Sequence, residues 1–258
     1  MKRRSARRTG YGGRDMRLGV IGTGTIATAA MRGIAGDGHQ ITVSRRSAAN
    51  AEGLARDFAN VSVADNQTVL DQSDVVFVAL LAGDAPRILR ELAFRPDQQV
   101  ITLMTGISPD EVAALTAPAP VVAQMLPFPA VANGGSPIIV LGAPDLVQAL
   151  FGARNRIFAL RDAAEMDAYL CAQALLSPVA RMVADAAGWL GARVDDAPQA
   201  EAFLRTLIAS SLADMESNAL VQALNTPGGY NQRLRLHMEA SGMGQALVAG
   251  LDALEGGA

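Results

Sequence analysis

Residues 16–46 read MRLGVIGTGTIATAAMRGIAGDGHQITVSRR. Leu18-Gly19-Val20-Ile21 is a short apolar run, Gly22-Thr23-Gly24-Thr25-Ile26-Ala27 follows the pattern G-x-G-x-x-A, and apolar residues from Ala27 to Ile34 recur at helical spacing. The order is strand, glycine turn, helix. Gly22 permits the tight turn, Gly24 lets the backbone come close to a pyrophosphate, and the small Ala27 lets the helix pack on the strand. The helix N-terminus then offers unpaired N–H groups and a partial positive charge to phosphate oxygens. Together with Thr23, Thr25 and Ile26, the two glycines form the expected cofactor-binding turn of a dinucleotide site.

Ile41-Thr42-Val43-Ser44 reads as the second strand, ending about 20 residues after the glycines, where an NAD-preferring site places an acidic residue on the ribose hydroxyls. Here the tip is Ser44-Arg45-Arg46. Two guanidinium groups and a hydroxyl suit a 2′-phosphate, because arginine forks onto phosphate oxygens and stays charged at any working pH. The expected cofactor is NADP(H).

The chain around this stretch is 258 residues long, half of them hydrophobic, with 18% charged and a net charge of −3. No global basic field points to nucleic acid. The cationic cluster Lys2, Arg3, Arg4, Arg7, Arg8 and Arg14 falls in residues 1–15, which read as a basic, disordered leader or as sequence upstream of a true start at Met16. No secretory apolar region follows it. Residues 112–144 carry no charge, but Pro118, Pro120, Pro127, Pro129 and Pro137 forbid a membrane helix there. The single cysteine, Cys171, excludes an internal disulfide and a cysteine cluster, and fits a cytoplasmic location. His39 and His237 are too few for a histidine metal site, so no metal is expected and both read as surface or structural residues.

Taken in order, the chain predicts a helix from Ser47 to about Phe58, a third strand at Val61–Val63, and a buried strand within Asp74–Leu81 at the sheet centre. A helix begins at Asp84-Ala85-Pro86 and a strand spans Gln99–Met104. Ser108-Pro109-Asp110-Glu111 is a capping box. Strands near Val121–Met125, Pro137–Leu141 and Ile157–Leu160, with a helix at Asp145–Leu150, complete a doubly wound α/β domain over residues 16–160. Residues 161–258 carry long Ala- and Leu-rich helical segments, Ala163–Leu190 and Gln199–Leu224, then helices near Gln232–Ala240 and Met243–Leu254. Ser177-Pro178 should kink or break the first. The fold class is thus α/β, a Rossmann-type doubly wound sheet followed by an all-helical dimerisation and substrate domain. Long apolar helices with few aromatics predict a homodimer through that second domain, with a higher oligomer possible on the same surface.

This order of features resembles pyrroline-5-carboxylate reductase, an enzyme that reduces a cyclic imine to proline with NAD(P)H. The resemblance covers most of residues 16–242. It rests on the glycine turn with Ser44-Arg45-Arg46, on Asp74–Leu81 where that family has a strand ending A-V-K-P, on Met125–Ala130 where it has M-P-N-T-P-A, and on Thr226-Pro227-Gly228-Gly229 where it has S-P-G-G. It implies cofactor contacts at Leu80 and Leu81. The departures are on the substrate side: Ala79-Leu80-Leu81-Ala82 lacks the lysine, Pro127 and Phe128 replace the asparagine and threonine, Tyr230 and Asn231 stand where two threonines follow, and no S-G-S-G-P loop is found near residues 168–178.

Imine reduction tolerates such losses. Once the nitrogen is protonated, the iminium carbon accepts hydride directly, and the protein mainly orients the substrate and excludes water. A carboxylated imine still needs donors for its carboxylate, and the candidates are Ser177, Tyr230, Asn231 and the N–H groups of Gly228 and Gly229. Tyr230 is the candidate catalytic donor. The expected reaction is NADPH-dependent reduction of 1-pyrroline-5-carboxylate to L-proline, within proline biosynthesis. Two other classes share the sequence features: a reductase of another imine or keto substrate, including a deazaflavin-dependent NADP oxidoreductase, and a non-catalytic NADP(H)-binding protein.

Overall fold

A computed structural model describes residues 15–256. The expected leader therefore lies outside the described residues, apart from Asp15. The chain divides into two compact units, one ending at Ala163 and one beginning at Ala164.

The first unit alternates strands and helices: β1 (Arg17–Ile21), α1 (Thr25–Ile34), β2 (Gln40–Ser44), α2 (Ala48–Asp57), β3 (Val61–Ala64), α3 (Asn66–Asp71), β4 (Val75–Val78), α4 (Ala85–Leu89), β5 (Gln99–Thr102), α5 (Pro109–Thr116), β6 (Val121–Pro127), β7 (Pro137–Gly142), α6 (Pro144–Phe151) and β8 (Arg156–Leu160). The strands form one sheet in the order β3-β2-β1-β4-β5-β6-β7-β8. Neighbours are parallel except β6 and β7, which pair antiparallel from Ala123 opposite Gly142 to Pro127 opposite Ile138. The reversal follows from chain length. A parallel return needs a crossover of roughly a dozen residues or more, usually helical, and only the short stretch after Pro127, with a 3₁₀ turn at Pro129–Ala132, separates these strands.

Both sheet faces are covered, so the central strands are apolar on both sides. Val75 and Phe77 of β4 join the core beneath α1, α2 and α6, while Val76 and Val78 join the core beneath α3, α4 and α5. Phe77 meets Phe151 of α6 edge to face, centroids 6.2 Å apart. Each such fully buried side chain contributes roughly 1.5–3 kcal/mol. The capping box forms as expected: Ser108 Oγ accepts the Glu111 N–H, and Glu111 Oε2 accepts the Ser108 N–H at 2.9 Å. Ser47 holds the N-cap position of α2 but makes no side-chain cap. Helix α3 escapes the sequence pattern because it spans six residues; Asp65 caps it by accepting the Thr68 N–H.

The second unit holds α7 (Ala163–Ala172), which opens one residue before the division, then α8 (Leu176–Gly191), α9 (Ala197–Asp214), α10 (Ser217–Ala223), α11 (Tyr230–Ala240) and α12 (Met243–Glu255). The first long helical segment is interrupted one turn before Ser177-Pro178, by a 3₁₀ turn at Gln173–Leu175. Pro178 has no N–H for the carbonyl four residues earlier, Ala174, so the ladder fails there rather than at the ring itself. The second expected helix also divides: Met215 is extended, and Glu216 caps α10 by accepting the N–H groups of Asn218 and Ala219. Among the described residues of this unit only Met166 and Ala200 are buried. Trp189, Phe203, Leu212, Leu234 and Val248 all stand more than half exposed. No helix among the described residues is long and apolar enough to cross a membrane.

Candidate cofactor site

The chain order reverses between β1, which leads outward to β2 and β3, and β4, which leads the other way. At such a switch point the loops beyond the strand ends diverge and leave a crevice. Here that crevice is a cleft of about 380 Å³ lined by Gly22, Thr23, Gly24, Ile26, Ala27, Arg46, Ser47, Ala79, Leu80, Leu81, Ala82, Leu103 and Thr105.

Two glycines shape it in different ways. Gly22 has φ +97°, and a Cβ there would lie 2.3 Å from the Ala79 carbonyl oxygen. Only glycine fits, because the end of β4 presses on the turn. Gly24 has φ −74° and caps α1 without a side chain; a Cβ on it would meet nothing within 4 Å. The space above Gly24 is therefore open, and no side chain caps the first turn of α1 below it. This is the cradle a pyrophosphate needs, so the residues present fit a dinucleotide.

Ser44 departs from its expected role. It is fully buried, and its hydroxyl accepts the Gly22 N–H at 2.8 Å. It secures the glycine turn to the end of β2 rather than facing a phosphate. Thr23, also fully buried, donates its hydroxyl to the Ser44 carbonyl at 2.7 Å. Asn50 of α2, which carries no signal in the sequence, donates to the Thr23 carbonyl at 3.0 Å and completes the brace. Arg45 and Arg46 are exposed beyond the strand, and Arg46 lines the cleft. Arg46 also donates to Asp84 Oδ2 at 2.5 Å. That hydrogen bond, more than the accompanying charge attraction, holds the Asp84 carboxyl below the usual aspartate range.

Leu80 is buried and Leu81 is 73% exposed, both on the cleft wall beyond β4. The opposite wall, Leu103 and Thr105, follows β5. It is fixed by Gln124 of β6, which donates to the Met104 carbonyl at 2.8 Å, and by Thr102, whose hydroxyl accepts the Met104 N–H. Sequence reading misses this wall, since one of its two braces, Gln124, comes from another strand.

The substrate-side residues lie in the helical unit. Gly228, with φ +72°, Gly229, Tyr230 and Asn231 share one turn at the start of α11. The two expected N–H donors are both engaged internally: Gly228 donates to Gln232 Oε1 at 2.8 Å and Gly229 to the Thr226 carbonyl at 2.9 Å. Gln232, four residues beyond Gly228, organises this turn and also donates to Asn225 Oδ1. A glutamine in the first helical turn is the signal that could have revealed it. Tyr230 is 89% exposed, and Ser177 is exposed in the first turn of α8, a separate element. His39 is buried, its Nδ1 accepting the Met16 N–H, and His237 is exposed on α11. Among the described residues no group of three or more His, Cys, Asp or Glu is placed to hold a metal ion.

A mostly parallel sheet ordered outward from β1 and β4, with a glycine turn at its switch point, defines a dinucleotide-binding unit of the Rossmann class. With the helical unit included, the chain has the fold of the pyrroline-5-carboxylate reductases. It superposes on that enzyme from Streptococcus pyogenes with a TM-score of 0.79 at 18% identity, over 93% of this chain and 97% of that one. The Plasmodium falciparum pyrroline carboxylate reductase with NADP bound gives 0.76 at 13% identity, over 93% and 95%. A reductive aminase from Aspergillus terreus, in complex with NADPH and ethyl-5-oxohexanoate, gives 0.57 at 18% identity, over 94% and 92%. At these identities the likeness is one of fold. Residues 17–106 match the family model described as NADP oxidoreductase, coenzyme F420-dependent. No curated protein sequence matches the chain.

Proposed function

We propose that this protein binds NADP(H) in the cleft at Gly22–Ala27 and reduces the C=N bond of a small cyclic imine, with 1-pyrroline-5-carboxylate to L-proline as the leading reaction. The observation that carries the reading is the open cradle above Gly24 with Arg46 on the cleft wall and the exposed Arg45 preceding it in the chain, where the β2 tip of an NAD-preferring site would carry a carboxylate. The structural likeness to enzymes named as a pyrroline-5-carboxylate reductase and a reductive aminase supports the choice of reaction.

When bound, NADPH supplies the hydride. The chain's part is to hold and to exclude. The first turn of α1 takes the pyrophosphate, Arg45 and Arg46 take the 2′-phosphate, and Leu80, Leu81 and Leu103 keep water from the cleft wall. For the substrate, the Tyr230 hydroxyl and the Asn231 amide are the donors we assign to a carboxylate or an imine nitrogen, with Ser177 as a further candidate. The N–H groups of Tyr230 and Asn231, where no side chain caps α11, take the place of the engaged Gly228 and Gly229 donors. The exposed apolar surface of the helical unit is assigned to a homodimer, and the working location to a reducing cytoplasm.

The family match over residues 17–106 favours one alternative, a hydride exchange between NADP and a deazaflavin. One experiment separates the readings: NADPH oxidation by the full-length protein with pyrroline-5-carboxylate, with other cyclic imines, and with oxidised deazaflavin. Turnover on an imine carboxylate supports the proposal. Turnover on deazaflavin alone replaces it, and tight NADPH binding with no turnover on any of them marks a binding protein.

A further inference from the structure

Asp84, the residue before α4, stands at the edge of the expected 2′-phosphate position without lining the cleft itself. Its Oδ2 accepts from Arg46 at 2.5 Å, and Arg87 reaches its other oxygen at 3.8 Å. Arg46 therefore faces two ways: its side chain lines the cleft, and one of its nitrogens is held by a carboxylate outside it.

We propose that Asp84 sets cofactor selectivity by restraining Arg46, so that the chain prefers NADPH over NADH less than its two tip arginines alone would make it. The inference rests on the NADP(H) reading above. A 2′-phosphate carries close to two negative charges, and on Arg46 it would sit within a Debye length of the Asp84 carboxylate, about 8 Å at physiological ionic strength. It must share a guanidinium already engaged, and it is repelled by the group engaging it. NADH brings a neutral hydroxyl to the same place and meets neither cost. Asp84 thus penalises only the phosphorylated cofactor. Its partner just after β2 and its own position after β4 are 38 residues apart, which hides the relationship from any local motif.

The test uses the full-length protein and three probes: NADPH, NADH and adenosine 2′,5′-bisphosphate, which isolates the phosphate end. Asp84→Asn keeps the shape and an acceptor for Arg46 while removing the charge. We expect it to tighten NADPH and the bisphosphate about three- to tenfold and to leave NADH within about twofold. Asp84→Glu should behave as the parent, and the gain should shrink as salt is raised. Unchanged or weaker NADPH binding in Asp84→Asn, or equal tightening of both cofactors, overturns the proposal. A merely structural ion pair would shift the unfolding midpoint without moving the NADPH-to-NADH ratio. Arg46→Ala in the same series keeps the two readings apart. If it leaves that ratio unchanged, the 2′-phosphate assignment itself fails; if it collapses the ratio while Asp84→Asn does not raise it, only the role of Asp84 fails.

Discussion

The Ser44 hydroxyl at the end of β2 accepts the Gly22 N–H at 2.8 Å, so one buried hydrogen bond joins the two elements that hold opposite ends of the proposed cofactor's adenosine half. Removing the hydroxyl leaves a buried N–H without a partner, which costs roughly 1–3 kcal/mol. Ser44→Ala should lower the urea midpoint accordingly. It should also weaken NADPH and NADH by similar factors, because the turn they share is loosened. A selective loss of NADPH would instead mean that the hydroxyl turns outward to the phosphate.

Gly22 and Gly24 should fail differently. Gly22→Ala drives a Cβ into the Ala79 carbonyl at 2.3 Å, against backbone that cannot yield cheaply, and in a left-handed conformation. We expect poor folding, read as loss of the cooperative unfolding transition. Gly24→Val places its side chain in open space, so the protein should fold with a near-parental circular dichroism melt. Binding of both cofactors should then be lost. If Gly24→Val binds NADPH normally, the pyrophosphate does not lie over that turn.

Why the fold was legible and the substrate side less so follows from the range of the contacts. The strand runs at Leu18, Val75 and Val100 declare themselves because a doubly covered sheet makes them continuously apolar. Gly22-Thr23-Gly24 declares itself because its constraint is local: φ and the closeness of a neighbouring strand. Ser44 misled because a hydroxyl beside two arginines reads as a phosphate ligand, whereas its true partner lies 22 residues back across the sheet. The engaged N–H groups of Gly228 and Gly229 have local partners, the Gln232 side chain and the Thr226 carbonyl, and escape notice because a glycine pair reads as two free donors.

The helical unit makes a prediction about assembly. A segment whose described residues include only two buried ones, Met166 and Ala200, cannot offset the entropy of ordering its helices from its own core. Light scattering after gel filtration should give twice the monomer mass. Leu234→Asp, at a side chain 62% exposed in the single chain, should shift the protein toward monomer and lower its melting temperature. On a free surface the same change would fall within about 0.5 kcal/mol of neutral.

Acid should act through Asp74, whose carboxyl is held below its ordinary range chiefly by the hydrogen bond from Arg17; burial opposes this, and the attraction of the Arg17 charge, a smaller effect than burial, adds to it. A carboxyl lowered in the folded state contributes stability that is complete above the unfolded aspartate value, about 3.9, and is lost as pH falls through the folded one. Both side chains are about half exposed, so the pair contributes at most about 1 kcal/mol. Urea midpoints of the parent and Asp74→Asn should therefore differ slightly and constantly from neutral pH down to about pH 5, then converge below about pH 4. A gap that widens in acid would show that the carboxylate is not stabilised by folding.

Arg45 and Arg46 carry the cofactor assignment, and replacing both by alanine is its most direct test. Charge-assisted bonds to phosphate are each about twice as strong as neutral ones, and neither arginine is needed by the core, since both are exposed. The double variant should keep the parental melt and its NADH affinity while weakening NADPH by roughly ten- to a hundredfold, about 1.4–2.7 kcal/mol. The loss should be steepest at low salt, where the phosphate gains most from the two charges. Equal weakening of both cofactors would place the arginines elsewhere on the nucleotide, and no weakening of either would leave the β2 tip outside the cofactor's reach.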